Sequence, residues 1–188
     1  MASSTSSSNE LPNILTDFNE ILAEENSFTF DTFTSDTAFS IGSLLRQRIP
    51  ELVPHGPPAA IHIALATGGG NTLFHAVSKA SSGSGSSIAP DNDTWIARKK
   101  DTVFKWGISS YALHYKFKGL ATQEDVNYFG ARYGTENIGR YCLFGGGFPV
   151  RIKGVDGVVA VIIVSGLKHF EDHYVIVKVL QEWFAGRK

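Results

Sequence analysis

Two pairs of apolar runs, each joined by a short glycine-bearing turn, constrain this chain more than any other feature. Ala59-Ala-Ile-His-Ile-Ala-Leu-Ala66 and Asn71-Thr-Leu-Phe-His-Ala-Val77 flank Thr67-Gly-Gly-Gly70. Phe148–Ile152 and Val158–Val164 flank Gly154-Val-Asp-Gly157 in the same way. Glycine reaches positive φ without Cβ strain, so such turns reverse the chain between neighbouring strands. Connections this short join antiparallel strands, whereas parallel neighbours need a crossover of a dozen or more residues. The expected fold class is therefore α+β: a single domain with an antiparallel sheet flanked by helices.

Helical periodicity supplies the flanking layers. Ile14, Leu15, Phe18, Ile21 and Leu22 predict a helix from about Pro12 to Glu25, and Phe28-Thr-Phe-Asp-Thr-Phe33 alternates at the strand period. Thr34 or Ser35 caps a second helix running to Ile49, which Pro50 and the Pro54–Pro58 cluster end. Asp91 or Asp93 caps a third, carrying Trp95, Ile96, Val103 and Trp106. A short helix is expected around Gln123–Ala131 and a last one from His169 to Phe184. Residues 1–10 read as a disordered Ser-rich tail, residues 11–188 as the domain, and Ser81–Ser87 as a flexible loop within it.

Charge and composition narrow the function classes. With 17 Lys+Arg against 18 Asp+Glu, the chain has no global basic field, so nucleic acid is not the expected partner. One cysteine closes no intrachain disulfide and builds no Cys-rich zinc site. No run approaches the roughly 20 apolar residues that span a bilayer. The Ser-rich N-terminus has neither the basic nor the apolar region of a secretory signal. A cytoplasmic protein without membrane contact is expected.

The most distinctive text is Phe144-Gly-Gly-Gly-Phe-Pro-Val-Arg-Ile152, then Asp156-Gly-Val-Val-Ala-Val-Ile-Ile-Val-Ser-Gly166, then Glu171-Asp-His173 opening a helix. With Asp91-Asn-Asp-Thr-Trp-Ile-Ala-Arg-Lys-Lys100, this resembles the GlcG/HbpS-like, or haem-degrading domain, family over roughly residues 12 to 185. The resemblance implies an α-β-α sandwich and a homo-oligomer built from dimers. It also implies haem or a similar small anionic, planar ligand, bacterial members having been linked to haem, glycolate metabolism and corrinoid-related proteins.

Several residues could carry chemistry. Arg98, Lys99, Lys100 and Lys105 lie on one helix beside Trp95 and Trp106. Arg98 and Lys99 could clamp carboxylates against the Trp95 indole, or the stretch could be a solvated face with buried tryptophans. Gly145, Gly146 and Gly147 could offer backbone N–H groups to an anion, or could simply be a tight entry to a strand. His169 and His173 are four apart, hence on one helical face, which suits either a shared metal or an ordinary first turn. His173, within the family-like helix start, is the better candidate catalytic residue of the pair, and no metal is assigned. His114 is the second catalytic candidate, as axial ligand or acid–base group. Tyr111, Tyr115 and Tyr133 could add hydrogen-bonding acids, and Cys142 is expected to be buried. No spacing recommends His55, His62 or His75.

Three functions compete. The first is a pocket between the basic helix and the Gly145–Val150 turn that holds haem or a similar ligand, with or without its degradation. The second is a non-catalytic oligomeric interaction module using the Trp183-Phe184 end of the last helix. The third is a lyase- or isomerase-type acid–base enzyme built on His114, His173 and the tyrosines.

Overall fold

Local capping sets where the first two helices begin. In the computed structural model, which describes residues 14–67, 69–79 and 88–186, α1 spans Phe18–Ser27. Its Asp17 carboxylate accepts the Asn19 and Glu20 N–H groups at 2.8 and 3.0 Å, so the helix starts there rather than near Pro12. The Ser-rich tail, Pro12 and the Ser81–Ser87 loop lie outside the described residues.

Helix α2 (Ser35–Leu52) is capped by Thr34, as expected, but runs past Pro50. Proline in a last turn removes the hydrogen bond to the carbonyl four residues back. That carbonyl belongs to Arg46, and it accepts the Lys79 N–H instead at 3.2 Å. The lost helical bond is replaced by a tie to the segment around Lys79, and the helix ends only at Val53.

Five strands form one sheet in the order β1-β4-β5-β2-β3: β1 Thr29–Phe30, β2 Ala60–Leu65, β3 Thr72–Val77, β4 Gly147–Ile152 and β5 Ala160–Ser165. The β2–β3 and β4–β5 pairs are the expected antiparallel hairpins, and β2 also pairs antiparallel with β5. The sheet is nonetheless mixed, because β1 lies parallel to Arg151–Ile152 of β4. Turn chemistry predicts the pairing of consecutive strands only, and β1 and β4 are remote in sequence. The strand expected over Phe28–Phe33 is also cut to two residues, so Pro149 stands beyond the reach of β1, where its missing N–H costs no ladder bond.

Helices cover both faces, giving an α-β-α sandwich in a single domain. Alternate strand residues point to opposite sides. Ile61, Ile63, Ile162 and Val164 meet α2 and α6 (His169–Ala185) through Ile41, Leu45, Val175 and Val179. Ala60, Ala64, Val161 and Ile163 meet α3 (Asn92–Trp106) through Ile96 and Val103. Two further helices, α4 (Ser110–Lys116) and α5 (Gln123–Tyr133), enclose a third cluster of Leu113, Phe117, Phe129, Tyr141 and Leu143. Trp106 packs there, 4.7 Å from the Tyr141 ring and 6.0 Å from that of Phe129. Helix α4 has no counterpart among the expected helices.

Candidate ligand site

Helix α3 lays Ile96, Lys99 and Val103 along the stripe that faces the sheet, a spacing of three and four residues. Lys99 is thereby carried into the core, where it is 2 % exposed. Its Nζ donates to the Val164 carbonyl at 2.9 Å and to Asp172 Oδ2 at 2.8 Å. Asp172, in the first turn of α6, also accepts the Leu167 N–H at 3.0 Å through Oδ1. Burial pushes the Asp172 carboxyl up to about 6, although Lys99 beside it pulls the other way. The pair pins α3, β5 and the β5–α6 loop at one point.

The three glycines lie against this pair. A Cβ on Gly145 would collide with the His169 carbonyl, and one on Gly146 with the Val164 carbonyl and the Asp172 side chain. Gly146 has φ +105° and its carbonyl accepts the Val164 N–H at 2.8 Å, while the Gly147 N–H donates to Ser110 Oγ at 2.9 Å. All three glycines are buried. They allow backbone to approach backbone, and the N–H of Gly147 already has its partner.

Beside the ion pair is a hollow of about 400 Å³, bounded by Asn92, Trp95, Phe144, Ser165, His169 and the Lys99–Asp172 pair. Phe144 is 44 % exposed and forms a wall, its ring centroid 5.9 Å from Trp95 and 5.8 Å from His169. His114 stands behind, 4.5 Å from the His169 ring, with Nδ1 at 3.0 Å from the Leu143 carbonyl. Arg98 does not line the hollow but spreads over the Trp95 indole, 4.6 Å from its centroid, and donates to the Tyr141 carbonyl at 2.9 Å. Among the described residues Arg98 has no carboxylate within ion-pair distance.

The structure thus brings together Trp95, Lys99 and the glycine bend, with Arg98 one layer out and His114 behind His169. His173 goes elsewhere. Its ring stacks on Tyr111 at 4.3 Å and lines a separate cavity of about 220 Å³ with Glu24, Lys178 and Gln181. Burial pushes its imidazole down to about 3, and its Nδ1 has no hydrogen-bond partner. Of the two histidines at the start of α6, His169 is the one that faces the hollow. Burial lowers its pKa below the usual imidazole value too, and His114 and Lys99 add to this. No cluster of three or more His, Cys, Asp or Glu side chains among the described residues is arranged to hold a metal ion.

The remaining candidates disperse. Tyr111 donates to the Leu15 carbonyl at 3.0 Å and so accepts from Tyr115 at 3.3 Å; Tyr133 packs on Trp106. Cys142 is buried, and burial pushes its thiol up, away from thiolate chemistry. Lys105 is exposed, and Lys100 reaches toward Gly70. Asp172 and Phe144 had no place among the sequence candidates. Asp172 was legible only indirectly, because a lysine in an apolar helical stripe demands a buried anion.

Comparison with known proteins identifies the family and the fold. The model of a family described as haem degrading protein HbpS-like matches residues 33–181. A UPF0303 protein of Streptomyces coelicolor is 37% identical over 166 residues, covering 88% of this chain and 92% of that one. A UPF0303 protein of Rhizobium etli is 32% identical, covering 87% of each chain. Among solved structures, the Ybr137w protein superposes with a TM-score of 0.75 at 31% identity, covering 91% of this chain and 89% of that one. HbpS superposes with a TM-score of 0.53 at 19% identity, covering 80% of this chain and 89% of that one, a likeness of fold. No helix among the described residues is long and apolar enough to cross a membrane. With the family model spanning most of the sequence, and relatives above 30% identity along nearly all of it, this chain belongs to the HbpS-like haem-degrading family.

Proposed function

We propose that this protein is a cytoplasmic small-molecule-binding protein that takes a planar, anionic ligand of the haem type in the hollow between α3 and the start of α6. The observation that carries this reading is the lining: an indole, a phenyl ring and an imidazole line one hollow with the buried Lys99–Asp172 pair. Trp95 and Phe144 offer faces for a planar ligand to stack on. Arg98, spread on Trp95 without an acidic partner, offers positive charge at the rim toward carboxylates.

The residues present fit haem. His169 lines the hollow, and its burial favours the uncharged imidazole. An imidazole in that state is a competent iron ligand. His169 would hold the metal side, Trp95 and Phe144 the ring plane, and Arg98 the carboxylates. Haem, when bound, supplies the redox-active iron, and the protein supplies orientation and exclusion of water. Lys99 is held by Asp172 and Val164, so its work is to fix the floor of the hollow rather than to swing onto the ligand.

Hemin titration tests the reading. The expected result is a shifted Soret band that saturates at one hemin per chain and is lost or displaced in His169→Ala, with Arg98→Ala weakening binding by about 1.5–3 kcal/mol, the range of a charged hydrogen bond. An unshifted band at stoichiometric hemin, or full binding by His169→Ala, rejects it.

A second element of the proposal is self-association. Phe39 on α2 is 63 % exposed and packs at 6.0 Å on Phe74 of β3, whose outer edge is unpaired among the described strands. A second copy of the chain is the occupant we assign to this apolar edge. The end of the last helix is a poorer choice, since Phe184 is spent internally, 4.9 Å from Phe30 and 5.7 Å from Phe28.

A further inference from the structure

His62 on β2 and His75 on β3 are directly opposite each other in the antiparallel ladder. Both side chains project to the α3 face, since His62 also sits opposite Ile163, a residue of the cluster packed on α3. Their Nδ1 atoms are 3.2 Å apart, with ring centroids at 5.4 Å and planes at 72°. Two neutral imidazoles at that distance share one N–H. His62 is 9 % exposed and His75 is exposed, so the gap between the nitrogens borders solvent on the His75 side.

The spacing has a second chemical meaning. Two nitrogens bound to one ion at about 2.0–2.1 Å are about 2.9 Å apart in square-planar geometry and about 3.3 Å apart in tetrahedral geometry. The observed separation falls between these values before any ion is present. Each ring would bind through Nδ1 and carry its proton on Nε2. In the tautomer where His75 donates to His62, only the His75 proton has to move, from Nδ1 to its exposed Nε2 side.

We propose that His62 and His75 form a two-imidazole chelate for a divalent late transition metal ion, of the copper or zinc class, with the other positions left to water or an external ligand. Two nitrogen donors select this class over magnesium or calcium, which take oxygen ligands. Neighbouring charges are mixed: Asp93 in the first turn of α3 attracts a cation toward His62, and Lys100 opposes it. Neither histidine lines the Trp95–Phe144–His169 hollow, so the chelate is independent of the haem reading.

Cu²⁺ alone is the probe, titrated against a weak competing chelator, with electron paramagnetic resonance counting the coordinated nitrogens. The expected result is one Cu²⁺ per chain with two imidazole nitrogens. An outer-shell partner of a metal site is worth about 10–100-fold in affinity, so loss of a direct ligand in His75→Ala costs at least about tenfold. His75 lies on an exposed edge strand, so this variant keeps its fold, as circular dichroism would verify. His169→Ala, which removes the other close histidine pair, leaves the site unchanged. Three results overturn the proposal: no stoichiometric Cu²⁺ on the wild-type chain, undiminished affinity in His75→Ala, or loss of the site in His169→Ala.

Discussion

At the scale of single residues, the Lys99–Asp172 pair decides the geometry of the site. Both side chains are almost wholly removed from water, 3 % and 4 % exposed, so each charge depends on the other. Removing one partner of a buried pair leaves an uncompensated charge and costs about 3–5 kcal/mol. Lys99→Met should therefore lower stability by that amount, measured by urea unfolding, because it strands the Asp172 carboxylate beside the Val164 carbonyl. The double variant Lys99→Met, Asp172→Leu should recover much of the loss, because it removes both charges. If the double variant is as unstable as the single one, packing rather than charge governs the position. The same pair explains the glycine run: Gly146 has no room for a Cβ against Val164 and Asp172, so the bend is a consequence of the buried charge reaching its partner.

At the scale of elements, a buried carboxylate ties α1 to the start of α4. Glu25 Oε2 accepts the Ser109 N–H at 2.8 Å, and Arg151 approaches Oε1 at 3.7 Å while also holding the Gly107 carbonyl. Burial nevertheless pushes the Glu25 carboxyl up to about 7, outweighing Ser109 and Arg151. The folded chain therefore holds this proton more tightly than the unfolded chain, whose glutamate titrates near 4.3. Its stabilising effect is complete below about pH 4 and is lost as pH rises through about 7. Glu25→Gln, which mimics the protonated form, should match wild type near pH 4 and exceed it by about 3–4 kcal/mol at pH 8, read from paired urea curves. Equal pH profiles for the two proteins would show that Glu25 ionises freely in the fold. His173 acts in the opposite sense: its lowered pKa means stability is lost as pH falls below about 6.5.

At the scale of the whole molecule, a three-layer sandwich leaves one long sheet edge at β3 and an apolar spot at Phe39 and Phe74. An unpaired strand edge next to apolar side chains favours association. Phe39→Asp should reduce the mass measured by light scattering to that of a smaller assembly while the circular dichroism spectrum stays the same. A wild-type mass of one chain, or a mass unchanged by the substitution, would reject this edge as a self-association surface. Hemin binding by the dispersed variant would further show that one chain suffices to build the hollow.

Much of the architecture was written locally. Glycine turns dictated both hairpins, the cap at Thr34 set the start of α2, and apolar periodicity put Ile96 and Val103 together on α3, because these choices depend on residues a few positions apart; Phe39, expected inward on α2, is exposed instead. Family resemblance in the glycine bend and the α6 start supplied the layer order. What only the tertiary structure decided was pairing between remote segments: β1 beside β4, Lys99 against Asp172, His169 rather than His173 facing the hollow, and His62 opposite His75. The reason is physical. A local sequence sets propensity and periodicity, whereas the register of a ladder and the partner of a buried charge are fixed by packing the layers together, where one residue of slip exchanges the two faces of a strand.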